Sequence, residues 1–149
     1  SILYVQLLIG FLLNIRLEKL LCQSKPYLED YFKKKPEYWE EYQEHFREIF
    51  DREFYQKARE DIASTGYVVG TLKACLWCLG TTETFEEAVL KAVNLGGDTD
   101  TIGAITGTLA GAHYQLEGIP EKWIQQLANR ELIEEKCRQL LEHLYKQSK

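Results

Sequence analysis

The sequence predicts an all-α protein built as a compact multi-helix bundle, and three observations support this prediction. Apolar residues recur at helical spacing through most of the 149-residue chain. No segment of useful length alternates between apolar and polar residues as a half-buried strand does. Glycine, proline and capping residues divide the apolar stretches into pieces of helix length. A chain of this length with 45% hydrophobic residues is expected to form one domain over residues 1–149.

The first part of the chain contains three apolar segments. Residues 2–21 are apolar on most of their surface and are predicted to form a central helix. A short helix is expected over residues 27–32, after Pro26. Between residues 37 and 60, large apolar side chains return at mostly helical intervals among charged residues, which favours core packing over a cofactor site. These side chains are Tyr38, Tyr42, Phe46, Ile49, Phe50 and Phe54.

The middle of the chain shows clearer helix boundaries. The Ser-Thr-Gly sequence at residues 64–66 predicts a turn or cap before a helix over residues 67–79. Thr84 is expected to cap the next helix, and Glu87, three residues later, completes a capping box. The glycine pair at residues 96–97 is expected to end that helix.

Three more helices are predicted in the last third of the chain. One covers residues 101–116, and a second begins with Pro120 at its first helical position. Asn129 can cap the last helix, which carries its apolar residues on one face. That face consists of Leu132, Ile133, Cys137, Leu140, Leu141 and Leu144.

Charge and hydropathy exclude two classes of partner. The net charge of −5 argues against a nucleic-acid-binding surface, because such a surface is expected to be basic. The apolar stretch over residues 2–15 is interrupted by Gln6, Gly10 and Asn14, and it is shorter than the roughly 20 residues of a membrane span. It also lacks the basic start of a signal peptide. We therefore expect neither a nucleic acid nor a membrane as a partner.

The cysteines are predicted to be structural. Cys75 and Cys78 form the motif CLWC inside an apolar helical pattern. A zinc site would need a second pair of ligands, and a thioredoxin-like motif would need a preceding strand. Together with Cys22 and Cys137, they are expected to be buried, unreactive thiols of a protein in the reducing cytoplasm.

The sharpest functional signal is the motif NLGGDTDTIGAITG, which begins at Asn94. Its glycine pair permits backbone conformations closed to other residues, so a ligand can approach the chain closely at Gly97. Asp98 and Asp100 follow, and two carboxylates this close repel each other unless a cation lies between them or one is protonated. Each alone is explained as a helix cap, but the pair favours a hard cation such as Mg²⁺ or Ca²⁺, with Thr101 as a third oxygen donor.

Two familiar motifs are excluded by the residues that follow. An EF-hand loop starting at Asp98 would need a glutamate at its twelfth position, where Leu109 stands. An Asp-x-Asp phosphotransferase nucleophile would follow a buried strand, whereas EEAVLKAV is helical. Gly103, Gly107 and Gly111 recur every four residues, which favours close helix packing, above all for the last two. The more specific alternative is that the glycines leave room for a metal and a ligand at the start of the helix.

Three stretches of the chain together resemble the ADP-ribosylglycohydrolase family. They are GGDTDTIGAITGTLAGAHYQLEGIPEKW, the upstream STGYVVGTLKACLWCLGTTETFEEAVLKAVN, and the opening ILYVQLLIGFLL. The resemblance implies an orthogonal all-helical bundle of that family's type. As function it implies hydrolysis of an N- or O-glycosidic bond, which removes ADP-ribose from a protein side chain or a small acceptor.

The resemblance also implies a metal site. In the family, the residues matching Asp98, Asp100 and Thr101 are metal ligands in a site that holds two Mg²⁺ ions, for which Mn²⁺ is the alternative. These ions orient the ribose and polarise a water molecule, as paired metal ions can.

The ligand in such a site is ADP-ribose or an ADP-ribosylated protein. The tyrosine that matches Tyr67 lies in the family's ligand cleft, where it can stack on the bound nucleotide. Ser64 and Gly66 flank this tyrosine and are expected to contact a phosphate or the ribose. Gly97 is expected to let the ligand approach the backbone.

The family's other metal ligands, in a TDDT-like motif, and its catalytic carboxylates have no counterpart in this sequence. The chain also contains no methionine and begins within an apolar pattern. We therefore expect it to be the C-terminal part of a longer protein, with the catalytic residues in a preceding segment. The alternative is a catalytically incomplete fragment or a non-catalytic helical module that binds ADP-ribose or metal. An exposed apolar face is then expected to cause self-association.

Overall fold

The computed structural model describes residues 2–147, which fold into α-helices joined by short 3₁₀ and π turns and contain no strand. The predicted all-α class is confirmed. Two compact units divide the chain between Gly118 and Ile119. The first contains α1 to α6, and the second contains α7 and α8. The helices are Ile2–Leu12 (α1), Leu17–Lys33 (α2), Pro36–Glu41 (α3), Val68–Gly80 (α4), Phe85–Val93 (α5), Thr99–Tyr114 (α6), Glu121–Gln126 (α7) and Arg130–Gln147 (α8).

The prediction of one helix over residues 2–21 is wrong, because the chain reverses direction within it. The helix α1 ends at Leu12, and Asn14 adopts a left-handed conformation with φ 58°. Asparagine tolerates this conformation better than most residues. The reversal brings Leu20 of α2 onto Gly10 of α1, where a Cβ atom would overlap the leucine side chain. An apolar run therefore becomes two packed helices.

The expected short helix after Pro26 is the second half of α2, which continues through the proline. Burial of Leu20, Leu21 and Leu28 along one face holds this longer helix against its neighbours. Beyond α3, residues 42–61 form a π turn and three 3₁₀ turns in place of a regular helix. Their large apolar side chains include the buried Tyr42, Ile49 and Phe54.

The helix α4 lies at the centre of the first unit and is buried along almost its whole length. Burial raises the pKa of both Cys75 and Cys78 to about 12, so these thiols stay protonated and unreactive, as predicted. The same prediction is wrong for Cys22 and Cys137, which are exposed. No helix among residues 2–147 combines the length and apolar character needed to cross a membrane.

The glycines of α6 face α5, but only Gly103 packs so closely that a Cβ would not fit without a shift. A Cβ on Gly107 would lie 3.9 Å from Val89 Cγ2, at ordinary contact distance. A Cβ on Gly103 would lie 2.9 Å from Val93 Cγ1, which is too close without a shift. The tightest approach is therefore at Gly103, near the start of α6, and not at the later two glycines as expected.

The helix α5 begins with the predicted capping box. Thr84 Oγ1 accepts a hydrogen bond of 3.1 Å from the backbone N–H of Glu87. The Glu87 carboxylate accepts one of 2.9 Å from the N–H of Glu83, one residue earlier than the usual reciprocal bond. These bonds fix the first turn of α5 and hence the direction in which its far end points.

In the second unit, Pro120 lies just before α7, one position earlier than predicted, and Asn129 precedes α8. The apolar side chains of Leu132, Ile133 and Leu140 on α8 are exposed. Self-association through such a face stays a prediction.

A polar contact fastens the irregular region to α4. Glu48 accepts hydrogen bonds from Lys57 and from Lys73 of α4. Burial raises the pKa of the Glu48 carboxyl, but the hydrogen bonds and charges of the two lysines outweigh burial, so its pKa lies below the ordinary value of 4.5. The ionised carboxylate is therefore the form that stabilises the fold.

The glycine packing is tested by the same substitution at two positions of one helix. Gly107→Ala is expected to increase the free energy of unfolding by up to about 1 kcal/mol, because alanine favours helix and the site has room. Gly103→Ala gains the same helix propensity, but its methyl group would lie too close to Val93. Its free energy of unfolding should therefore be about 1 kcal/mol lower than that of Gly107→Ala. Urea denaturation of both variants measures the difference, and equal stabilities would contradict the packing described here.

The role of Glu48 is tested by the pH dependence of stability. Glu48→Gln is expected to lower the free energy of unfolding by roughly 1 kcal/mol at pH 7. Because the folded-state pKa is depressed, the contribution is present above the unfolded pKa and is lost as pH falls through the folded-state value. The two proteins should therefore converge at low pH in denaturant titrations. Asp30→Asn, which removes an exposed ion pair with Lys34, is the control and should change little.

Candidate metal and ADP-ribose site

The candidate site is built on the turn between α5 and α6. Gly96 and Gly97 adopt φ values of +87° and +68°, in the left-handed region that glycine occupies without strain. Gly97 has a second reason to lack a side chain, since a Cβ there would overlap the carbonyl oxygen of Ser64. The group that approaches Gly97 is therefore the backbone of the 64–66 turn, and the approach of a ligand at this glycine stays a prediction.

The 64–66 turn and the start of α6 are joined at this point. The N–H of Asp98 donates a 3.0 Å hydrogen bond to the carbonyl of Ser64. Gly66 also faces this aspartate, because a Cβ on Gly66 would lie 3.0 Å from Asp98 Oδ2. The structure thus brings together Ser64, Gly66, Gly97 and Asp98, which were singled out from two separate segments of sequence.

The two aspartates lie at the N-terminus of α6. Asp98 occupies the N-cap position, yet its side chain makes no capping hydrogen bond to the helix. Its Oδ1 instead accepts a 2.9 Å hydrogen bond from Thr101 Oγ1. An ordinary helix cap therefore does not account for this carboxylate.

The side chain of Asp100 lies close enough to that of Asp98 to share a hydrogen bond with it. This bond lowers the pKa of the Asp100 carboxyl below its usual value, and the backbone N–H groups of Thr101 and of Asp100 itself add to the effect. Two carboxyl groups within hydrogen-bond reach of each other favour a proton or a cation between them, because two bare negative charges repel each other. The positive end of the α6 dipole stabilises negative charge at this helix start, which further favours a cation beside the two carboxyls.

The oxygen donors fit a hard divalent cation in kind. Two carboxylates and a hydroxyl are ligands that Mg²⁺ and Mn²⁺ prefer, and Mg²⁺ usually retains several waters beside one or two carboxylates. Among residues 2–147, no cluster gathers three or more His, Cys, Asp or Glu side chains around a common point. Asp98, Asp100 and Thr101 therefore suit one hydrated ion, and ligands for a second ion stay a prediction.

Tyr67 lies at the N-cap of α4, directly after Gly66. Its carbonyl accepts hydrogen bonds from the backbone N–H and the Oγ1 of Thr71, at 2.9 and 3.2 Å. These bonds anchor the backbone, while the side chain is 56% exposed. The ring is therefore accessible for stacking, and its contact with a nucleotide stays a prediction.

One residue of the site region was not predicted. Arg59 Nη2 donates a hydrogen bond to the carbonyl of Asn94, the residue that follows α5. The partners are 35 residues apart, and no local pattern in the sequence signals the contact. The contact forms because the irregular region over residues 42–61 leads back to the end of α5.

Comparison with known proteins agrees with the earlier resemblance. Residues 4–149 match the family described as ADP-ribosylglycohydrolase. The chain is 42% identical over 88 residues to ADP-ribosylarginine hydrolase Tri1 of Serratia proteamaculans, covering 59% of this chain and 24% of that protein. It is 42% identical over 64 residues to ADP-ribosyl-[dinitrogen reductase] glycohydrolase of Rhodospirillum rubrum, covering 43% and 22%.

A third relative is ADP-ribosylhydrolase ARH3 of Mus musculus, 42% identical over 45 residues, with 30% of this chain and 12% of that protein covered. The matched segment therefore spans about a quarter or less of the length of these relatives. The match to the family nevertheless extends over almost the whole chain and includes both helices that flank the aspartates. This chain belongs to the ADP-ribosylglycohydrolase family.

Proposed function

We propose that the protein removes ADP-ribose from a modified protein side chain or a small acceptor, by Mg²⁺- or Mn²⁺-dependent hydrolysis of an N- or O-glycosidic bond. The observation that carries the proposal is the contact between the carboxyls of Asp98 and Asp100 beside the 64–66 turn. Relatives of this chain are named for the hydrolysis of ADP-ribosylarginine and of ADP-ribosyl-dinitrogen reductase. ADP-ribosylated substrates of this general kind would suit the turn between α5 and α6 that carries the two aspartates.

The residues of the chain prepare the metal-binding oxygens. Thr101 Oγ1 donates to Asp98 Oδ1 and so fixes the orientation of that carboxylate, leaving its second oxygen for a ligand. Asp100 places its carboxyl within hydrogen-bond reach of that of Asp98. A bound divalent cation would supply Lewis acidity towards a ribose oxygen or a water molecule.

The absence of a side chain at Gly66 leaves backbone accessible for the ligand, and its absence at Gly97 lets Ser64 join the same turn. Gly66 lies beside the Asp98 carboxylate and exposes its backbone to solvent. The Ser64 hydroxyl lies next to Gly97, because a Cβ on this glycine would be 2.8 Å from Ser64 Oγ. We propose that this turn contacts the ribose or a phosphate and that the exposed ring of Tyr67 stacks on the base.

A second candidate function is a module that binds ADP-ribose or metal without cleaving it. The observation that favours it is the lack, among residues 2–147, of a third carboxylate, histidine or cysteine beside the aspartate pair. A hydrolase needs a group that accepts a proton from water, in addition to metal ligands. Binding of ADP-ribose without release of product would distinguish the module from the enzyme.

The binding proposal is tested by calorimetric titration of the chain with ADP-ribose, with and without Mg²⁺. We expect binding that depends on Mg²⁺ and that weakens at least about tenfold in Asp98→Ala, because a metal ligand and the orientation set by Thr101 are both lost. Asp30→Ala removes an exposed aspartate from α2 and serves as the matched control. Equal affinities for Asp98→Ala and the unaltered chain would contradict the metal-ligand assignment.

The catalytic proposal is tested by Asp100→Ala in a preparation that hydrolyses ADP-ribosylarginine. We expect kcat/KM to fall by at least about a hundredfold, because a metal ligand is removed. Asp100 is exposed, so the helical circular dichroism should be unchanged. Turnover that survives the substitution would show that Asp100 does not hold a catalytic metal.

A further inference from the structure

Two hydrogen bonds tie the segment before α4 to the turn that carries the aspartates. One runs from the N–H of Asp98 to the carbonyl of Ser64, at 3.0 Å. The other runs from Arg59 Nη2 to the carbonyl of Asn94. The first bond lies at the end of the turn and the second at its beginning. The glycine pair is therefore held between two fixed points, both supplied by residues 59–64.

Asn94 and Leu95, at the start of the turn, donate backbone hydrogen bonds to carbonyls of α5, and the glycine pair follows them. A Cβ on Gly96 would meet no atom within 4 Å, so the space on that side of the residue is open. Gly96 and Gly97 also lose more conformational entropy on ordering than other residues would. A flexible pair of residues between two helices needs constraints at its ends, and the Asn94 carbonyl is the point where Arg59 supplies one.

The Arg59–Asn94 bond uses a backbone acceptor at the end of a helix. Asn94 follows the last residue of α5, where helix carbonyls lack partners within the helix. A guanidinium group suits this position because its charge also complements the negative end of the helix dipole. Arg59 thus binds α5 at its C-terminus and fixes the point from which the turn departs.

Arg59 takes part in none of the ion pairs that the structure shows among residues 2–147, so no acidic side chain competes for it there. Its side chain is exposed, so its removal would leave neither a buried cavity nor an unpaired carboxylate. The hydrogen bond to the Asn94 carbonyl is the side-chain contact that such a substitution removes. A substitution of Arg59 therefore reports on this bond more cleanly than a substitution in the core could.

We propose that Arg59 is a positioning residue for Asp98. By holding the end of α5, it sets the path of the glycine turn so that the Asp98 N–H meets Ser64 and the Asp98 carboxylate lies beside Gly66. Its effect on the order of the turn follows from the contacts alone. Its effect on ADP-ribose binding rests on the function proposed above.

Hydrogen exchange tests the positioning role without any ligand. Arg59→Ala is expected to speed exchange of the Asp98 amide about tenfold, because loss of the anchor favours local opening of the turn. Arg59→Lys retains a charged donor and should restore most of the protection. Arg52→Ala, in the preceding 3₁₀ turn, removes an exposed arginine of the same segment and should leave the amide unchanged. Melting temperatures of all four proteins are expected to agree within about 2 °C, since the substitutions are exposed.

The second readout is calorimetric affinity for ADP-ribose in the presence of Mg²⁺. We expect Arg59→Ala to bind about tenfold more weakly, with affinity regained in Arg59→Lys and unchanged in Arg52→Ala. Unchanged exchange at Asp98 in Arg59→Ala, or equal acceleration in Arg52→Ala, would overturn the proposal. If the unaltered chain binds no ADP-ribose, that result counts against the proposed function, and the exchange comparison alone decides the role of Arg59. If Arg59→Ala loses its helical circular dichroism, Arg59→Lys becomes the test variant. Exchange of the Asp98 amide in Arg59→Lys as fast as in an open turn would then refute the role.

Discussion

The site depends on a close backbone contact between two segments of the first unit. The carbonyl of Ser64 reaches the N–H of Asp98 only because Gly97 has no side chain in the way. The left-handed backbone disfavours any larger residue here, and overlap with Ser64 excludes one. This contact joins the start of α4 to the start of α6, and the aspartates and the 64–66 turn share one surface as a result.

Packing of the helices behind the turn holds this contact in place. The helix α6 lies against α5 along its glycine-bearing face and also contacts the buried α4. Close interhelical distances leave little freedom for rotation, because protein interiors are packed like crystals of small molecules. The N-terminus of α6 is therefore fixed relative to the N-terminus of α4. Both helix starts belong to the candidate site, so the core sets the geometry of its surface.

Local patterns account for the elements that the sequence predicted well. The capping box at Thr84, the glycine pair and the small-residue stripe of α6 act within one or two helical turns, where neighbouring residues decide the conformation. The break at Asn14 and the irregular turns over residues 42–61 were missed for a different reason. Both depend on contacts between separate segments, because α2 folds back on α1 at Gly10 and Tyr42 is buried and stacked on Phe32 of α2.

The sequence by itself determined the helical class and the position of the two aspartates at a helix start, and it predicted a charge-balancing partner between them. These properties follow from spacing and from the chemistry of adjacent residues. Only the tertiary structure decided that Ser64 and Gly66 lie against Asp98, that the Asp98 side chain does not cap α6, and that Arg59 anchors Asn94. Such contacts join residues far apart in the chain, and they form only when core packing has set the helices in place.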